Sequence, residues 1–151
     1  RNIRLNSLQE HITVISNPLT DKFLVSKYFQ GDFKAGAAEA SFNNKKYEHE
    51  HQTKNKNINF DKEKIFYNTL GISIDNLIDE NVIDLPKLIK IDVDGNEIEI
   101  LNGCTNLLKK NKKISILIET RQITEKKVEQ KLTNHGFRKI ASLGDNSIWE
   151  N

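Results

Sequence analysis

The second half of the chain alternates between short apolar runs and amphipathic stretches. Two runs rich in β-branched residues, at residues 88–93 and 114–118, are typical of buried strands. Between them, apolar side chains recur with helical spacing over residues 96–110, and residues 124–134 predict a further helix. Helices of this length between strands imply crossover connections, so the pattern predicts an α/β fold with a mainly parallel sheet.

The end of this half follows a different pattern. Residues 137–141 and 147–149 predict two strands, and residues 143–146 have the composition of a turn. Because this link is too short for a crossover, the two strands must run antiparallel and make the sheet mixed. Upstream, a short helix is predicted over residues 73–81, with Ser73 as its cap.

The first half is less regular. Residues 1–8 resemble the end of a helix, and residues 11–15 (HITVI) predict a buried strand that ends at Asn17-Pro18. Short strands are predicted near residues 23–25 and 65–67. Between them, residues 43–59 are polar and lack periodicity, which favours a loop inserted in a single domain spanning residues 1–151.

Composition and charge exclude several classes of function. The 23 basic and 21 acidic residues are scattered along the chain, and a net charge of +2 gives no case for a nucleic-acid partner. No apolar run approaches the roughly 20 residues needed to cross a membrane, and no secretory signal is present. A single cysteine excludes an internal disulfide and a thiolate metal cluster. Nothing contradicts a cytoplasmic location.

The candidate chemistry lies in acidic residues at the ends of predicted strands. In an open α/β sheet, ligands bind beyond the carboxyl ends of the strands. Asp92, Asp94 and Glu97 follow one strand and Glu119 ends the next, so we expect four carboxylates at one crevice. They would orient a substrate hydroxyl, accept its proton, or bind a divalent cation through oxygen ligands.

Two interpretations are open for these carboxylates. Asp94 and Glu97 also fit a helix capping box, which needs no ligand. Asp92 stands at the end of an apolar strand, where a buried carboxylate without a partner costs free energy, and this favours a functional role. His49 and His51 have metal-ligand chemistry, but they lie in the polar loop, where a solvated segment is the preferred interpretation over a metal site.

Three segments together resemble the signature of the FkbM family of S-adenosylmethionine-dependent methyltransferases. They are residues 71–78 (GISIDNLI), residues 88–103 (LIKIDVDGNEIEILNG) and residues 116–119 (ILIE). The resemblance implies a Rossmann-like class I methyltransferase sheet and methyl transfer to a hydroxyl of a glycan or small-metabolite acceptor. It places Asp92 and Glu97 at the methyl-transfer crevice and Glu119 near the acceptor. Ser16 and Asn17 would approach the adenine ring.

The same resemblance shows what the chain lacks. The family's pattern begins with a strand and a glycine-rich turn that approaches the cofactor, and none of the seven glycines here forms such a turn. We therefore expect that the amino-terminal strands are missing, that most of the cofactor site lies upstream, and that the chain is a fragment inactive alone. The alternative is a non-catalytic binding or assembly module that keeps the Rossmann-like fold. By resemblance, Tyr47 and Phe60 of the polar loop are possible acceptor contacts.

Overall fold

The computed structural model describes residues 2–30, 40–43, 65–110 and 113–151. These residues form five helices and seven strands. The helices are α1 (Asn2–Leu5), α2 (Ile74–Asp79), α3 (Glu97–Asn102), α4 (Thr105–Lys110) and α5 (Gln122–Thr133). The strands are β1 (Leu24–Gln30), β2 (Ser41–Phe42), β3 (Ile65–Gly71), β4 (Leu88–Ile91), β5 (Ser115–Glu119), β6 (Arg138–Leu143) and β7 (Asn146–Glu150).

The described strands form two sheets. A three-stranded antiparallel sheet has the order β2-β1-β3, and β1 pairs with β3 from Leu24 opposite Gly71 to Gln30 opposite Ile65. A four-stranded sheet has the order β4-β5-β7-β6. The short strands predicted near residues 23–25 and 65–67 are therefore present and longer than expected. Most of the polar loop at residues 43–59 lies outside the described residues.

The fold is mixed α/β, as predicted, and β6 and β7 form the expected antiparallel closing pair around Gly144. The prediction of a mainly parallel sheet is wrong for the described residues, since only β4 and β5 pair in parallel while the other four strand pairings are antiparallel. Apolar alternation reports which face of a strand is buried and not the direction of its neighbour, so the antiparallel β1–β3 sheet was not readable from the pattern.

The strand predicted at residues 11–15 is also wrong. In the described part of the chain, residues 12–16 pair with no strand, and Val14 is 70% exposed. The preference of β-branched residues for strands reflects packing against neighbouring strands and burial, so composition alone did not make this segment a strand.

The single helix predicted over residues 96–110 is two helices, α3 and α4, which are divided at Gly103 and Cys104. A Cβ atom on Gly103 would lie 2.1 Å from the backbone oxygen of Thr20, so the chain passes here with no room for a side chain. The carbonyl oxygen of Gly103 accepts a hydrogen bond from the backbone N–H of Asp75, at 2.8 Å, instead of continuing the helix. The break is thus a junction of three segments.

The core lies between the four-stranded sheet and α3, α4 and α5. The apolar residues with helical spacing predicted to be buried were Ile98, Leu101, Cys104, Leu107 and Leu108. The last four are completely or nearly completely buried, and Ile98 is partly buried and packs against the core. Ile116 and Ile118 of β5 and Trp149 of β7 complete it from the sheet side. Within the described ranges, no helix is long and apolar enough to span a membrane.

Candidate functional site

The carboxyl ends of β4 and β5 bring Asp92 and Glu119 to one edge of the sheet. The two strands are parallel, with Ile91 opposite Ile118, so the next residue of each chain segment emerges at the same level. The Lys90 ammonium donates a hydrogen bond to Asp92 Oδ2, and the charge of Glu119 contributes to raising the pKa of Lys90. The predicted grouping of these two carboxylates at one edge is confirmed.

Asp92 is not buried, so the desolvation cost that favoured a functional role for it in the sequence analysis does not apply. Its side chain is 51% exposed and forms an ion pair with Lys90. The hydrogen bond from Lys90, followed by the charge of that ammonium, lowers the pKa of Asp92. The carboxylate is therefore ionised at neutral pH and has a partner. An exposed, paired carboxylate incurs little of the desolvation cost that a buried one would.

Glu97 is the buried member of the group. Its side chain is 0% exposed, and Oε1 accepts a hydrogen bond of 2.9 Å from the backbone N–H of Gly95. Oε2 is buried and has no hydrogen-bond partner among the described residues. Burial raises the pKa of Glu97, while the bond from Gly95, the nearby Thr124 hydroxyl and the charge of Arg121 act in the opposite direction. The Thr124 hydroxyl donates its own hydrogen bond to the backbone oxygen of Arg121, at 3.2 Å, and so does not serve Oε2. A buried carboxyl oxygen without a partner is uncommon and calls for a ligand, a water or a functional role.

The turn between β4 and α3 explains how Glu97 reaches this position. Gly95 has a φ of +99°, a left-handed conformation that glycine adopts without strain. Asn96 occupies the N-cap position without a side-chain capping bond, and Glu97 is the first residue of α3. The capping-box alternative, in which Asp94 is the cap and Glu97 the third helical residue, is therefore wrong, although Glu97 does reach back to a backbone N–H.

Arg121 was missed by sequence reasoning. It directly precedes α5, and its Nη2 donates to Asp94 Oδ1 at 2.7 Å, which joins the turn after β4 to the segment after β5. Its charge also acts on buried Glu97. The available signal was its position two residues after Glu119, at the same strand end. Lys90 was missed as well, although it lies two residues before Asp92 on the same strand.

Ser16 and Asn17 have a different environment from the acidic group. Ser16 is exposed, and the side-chain amide of Asn17 donates to the backbone oxygen of Leu70 at 2.9 Å. Across the described ranges, no hydrogen bond or ion pair joins either residue to Asp92, Glu97 or Glu119. Their predicted contact with an adenine ring stays a prediction.

The cation alternative gains no support from the structure. In the part of the chain that the structure describes, no group of three or more histidine, cysteine or acidic side chains is arranged to hold a metal ion. The possible metal ligands His49 and His51, and the possible acceptor contacts Tyr47 and Phe60, lie outside the described residues.

The three-stranded sheet lies against the same turn. The side-chain amide of Asn96 donates to the backbone oxygen of Phe42 at 2.8 Å, which ties β2 to the residue that precedes Glu97. Three elements therefore meet at the turn after β4: the end of β5, the start of α5, and β2.

Comparison with known proteins identifies a family for this chain. The family model described as the methyltransferase FkbM domain matches residues 7–139, which is most of the 151-residue chain. The match includes the end of β4, the turn at Gly95, Glu97 and the end of β5. Searches of curated proteins and of solved structures gave no match.

Proposed function

Because the chain belongs to the FkbM methyltransferase family, we propose that it forms the acceptor side of an S-adenosylmethionine-dependent O-methyltransferase. The acceptor would be a hydroxyl of a glycan or a small metabolite. The observation that carries the proposal is the buried Oε2 of Glu97, which has no hydrogen-bond partner within the described ranges and lies beside the two strand ends that carry Asp92 and Glu119. The parallel β4 and β5 and the antiparallel β7 support a Rossmann-like class I sheet.

The residues of the crevice fit part of S-adenosylmethionine. When bound, that cofactor supplies a methyl group on a positively charged sulfur. Oε2 of Glu97 is an acceptor for an ammonium or hydroxyl group, and the neighbouring carboxylates favour a positive charge. In the sequence, no two of the seven glycines lie closer than five residues apart, whereas the glycine-rich turn that binds such a cofactor has glycines two or three residues apart. We therefore propose that residues outside this chain hold most of the cofactor.

The carboxylates at the strand ends have separate roles in this proposal. Methyl transfer to a hydroxyl forms the carbon–oxygen bond as the carbon–sulfur bond breaks, and the hydroxyl proton must leave. Asp92 is ionised and exposed, so it accepts that proton, and Glu119 orients the acceptor beside it. Arg121 holds Asp94 and so fixes the turn that carries Glu97. Ser16 and Asn17 are proposed for the adenine end.

Calorimetric titration of S-adenosylhomocysteine tests this function. The chain extended by its upstream coding sequence should bind it, and the Glu97→Gln variant should bind about tenfold more weakly. Asp79→Ala is the matched control, because Asp79 is an exposed carboxylate on α2. Its affinity should equal that of the parent chain.

Each other outcome is also informative. Absence of binding by the extended chain would refute the methyltransferase proposal and favour a non-catalytic binding or assembly module. Tight binding by the 151-residue chain alone would instead show that the cofactor site is complete without upstream residues. In the active extended enzyme, Asp92→Asn should lower kcat with unchanged folding; unchanged kcat would remove Asp92 from the mechanism.

A further inference from the structure

Three aromatic residues form a row across the three-stranded sheet. Tyr28 of β1 lies opposite Phe42 of β2 on one side and opposite Tyr67 of β3 on the other. Residues that are directly opposite in a sheet project from the same face, and neighbouring strands are about 4.8 Å apart. We call Phe42, Tyr28 and Tyr67 the aromatic row.

The aromatic row opens toward solvent from one end to the other. Phe42 is 4% exposed, Tyr28 is half-buried and Tyr67 is 49% exposed. The rings of Tyr28 and Tyr67 have centroids 5.3 Å apart and planes inclined by 36°. The two rings are thus not stacked in parallel. The accessible ring of Tyr67 lies beside the partly covered ring of Tyr28.

A row of hydroxyl groups runs beside the aromatic row. Ser26 and Thr69 lie opposite each other two residues along β1 and β3, so they share the face of Tyr28 and Tyr67. Both side chains are half-buried, and Ser26 Oγ donates to Asn43 Oδ1 at 2.8 Å. The face therefore combines an apolar aromatic strip with adjacent polar groups that donate and accept hydrogen bonds.

The buried end of the aromatic row lies beside the turn of the candidate site. Lys27 and Asn43 are a hydrogen-bonded pair, since the backbone N–H of Asn43 donates to the backbone oxygen of Lys27. Hydrogen-bonded and non-hydrogen-bonded pairs alternate in an antiparallel sheet, so in the next pair, Tyr28 and Phe42, the peptide groups of Phe42 point away from β1. The Phe42 backbone oxygen therefore accepts a hydrogen bond from the side-chain amide of Asn96, which is one residue before the buried Glu97. Because Phe42 is buried, a ligand on the exposed part of the row contacts Tyr28 and Tyr67 and lies one strand away from the turn that carries Glu97.

We propose that the two tyrosines of the aromatic row, Tyr28 and Tyr67, bind a pyranose ring of a glycan acceptor. This inference rests on the proposed function and names the acceptor class for the same site. A pyranose has apolar C–H faces, which pack on tyrosine rings, and a rim of hydroxyls, which Ser26 and Thr69 satisfy. A planar aromatic metabolite would use the rings but would leave the adjacent hydroxyl groups without partners on the ligand, so the glycan is the better match.

Fluorine NMR of the protein labelled with 3-fluorotyrosine tests the proposal directly. The chain has three tyrosines, so three resonances are assigned by single Tyr→Phe substitutions. The probes are common methyl hexopyranosides, with phenol as the aromatic comparator. The resonances of Tyr28 and Tyr67 should shift saturably with at least one pyranoside.

Matched variants separate binding from folding. Tyr67→Ala should raise the apparent Kd, followed at Tyr28, about tenfold, while Tyr67→Phe should keep it within about twofold because the ring is retained. Val25→Ala is the control, since Val25 is 68% exposed and projects from the opposite face of β1. It should leave the Kd unchanged.

The outcomes are decisive in both directions. If no pyranoside shifts Tyr28 or Tyr67, or if only phenol does, the glycan site is refuted. If Tyr67→Ala lowers stability but leaves the pyranoside affinity unchanged, the ring pair only holds the sheet together and the proposal also fails. No methyl donor is present in this titration, so its result is independent of whether S-adenosylhomocysteine binds.

Discussion

Asp75 should be a structural residue whose removal destabilises the fold without touching the candidate site. It lies on α2, but its carboxylate accepts hydrogen bonds from the backbone N–H groups of Asn106 and Leu107, at 2.8 and 3.0 Å. These are N–H groups in the first turn of α4, which have no partner within their own helix. Asp75 is therefore the N-terminal cap of α4, supplied from a helix about 30 residues away in sequence.

The magnitude of the loss follows from these contacts. Removing a capping side chain costs about 1 kcal/mol, and loss of a negative charge at a helix amino terminus adds about 0.3–1 kcal/mol. Because two N–H groups lose their acceptor and Leu107 is buried, we expect Asp75→Ala to lower the free energy of unfolding by about 2 kcal/mol. For a chain of this size, that loss corresponds to a fall in Tm of about 4–8 °C.

Urea unfolding followed by the fluorescence of Trp149, the single and buried tryptophan, measures the effect. Asp79→Ala removes an exposed carboxylate from the same helix and should change stability by less than about 0.5 kcal/mol. Asp75→Asn keeps one acceptor oxygen and should lose about half as much as Asp75→Ala. If the alanine variants at 75 and 79 are equally stable, the capping role is refuted.

Three further predictions follow from burial and close contact. Burial raises the pKa of Glu97, so its contribution to stability is fully present below the ordinary pKa of 4.5 and is lost as pH rises through the pKa of the folded state. Glu97→Gln should therefore raise the urea midpoint near pH 8 and raise it much less near pH 5. An equal effect at both pH values would contradict this reasoning. Burial raises the pKa of the Cys104 thiol to about 12, so a thiol reagent at about pH 8 should label it only after unfolding, and rapid labelling of the native protein would contradict the structure. Gly103→Ala forces a Cβ atom against Thr20 and should lower the free energy of unfolding in urea by about 3 kcal/mol. Gly144 has open space around it and a φ of +57°, so Gly144→Ala should lower it by only about 1 kcal/mol. Similar losses of stability in the two variants would refute the close approach at Gly103.

The elements after Gly71 were predictable because their signals are local. β4 and β5 are short apolar runs, α5 is followed by Gly136 with a φ of +83°, and the closing hairpin has a glycine turn. Before Gly71 the chain forms antiparallel pairs between distant segments, and hydrophobic pattern does not specify which segments pair or in which direction. Residues 12–16 show the limit, since a β-branched run without a neighbouring strand does not become one.

The candidate site divides in the same way. That Asp92 and Glu119 emerge at one edge follows from parallel strands, and the sequence was sufficient to predict it. Which carboxylate is buried depends on how α3 packs against α5, and this long-range contact made Glu97 the buried group and left Asp92 exposed. Arg121 contacts Asp94 across 27 residues, and Asp75 contacts Asn106 across 31 residues, so neither contact could be predicted from local spacing in the sequence.

The junction at Gly103 has a mechanical consequence for Glu97, which lies at the opposite end of α3. The helix has six residues and is therefore only about 9 Å long, with Thr20 pressed against its last turn and Gly95 bound at its first. Because the helix is this short, we expect a substitution at Thr20 that displaces Gly103 to shift the carboxylate of Glu97 as well. An error of about 1 Å in aligning reacting groups can lower a rate about a hundredfold. Substitutions at the Thr20–Gly103 contact should therefore lower the turnover of the proposed enzyme even when every residue of the crevice is unchanged.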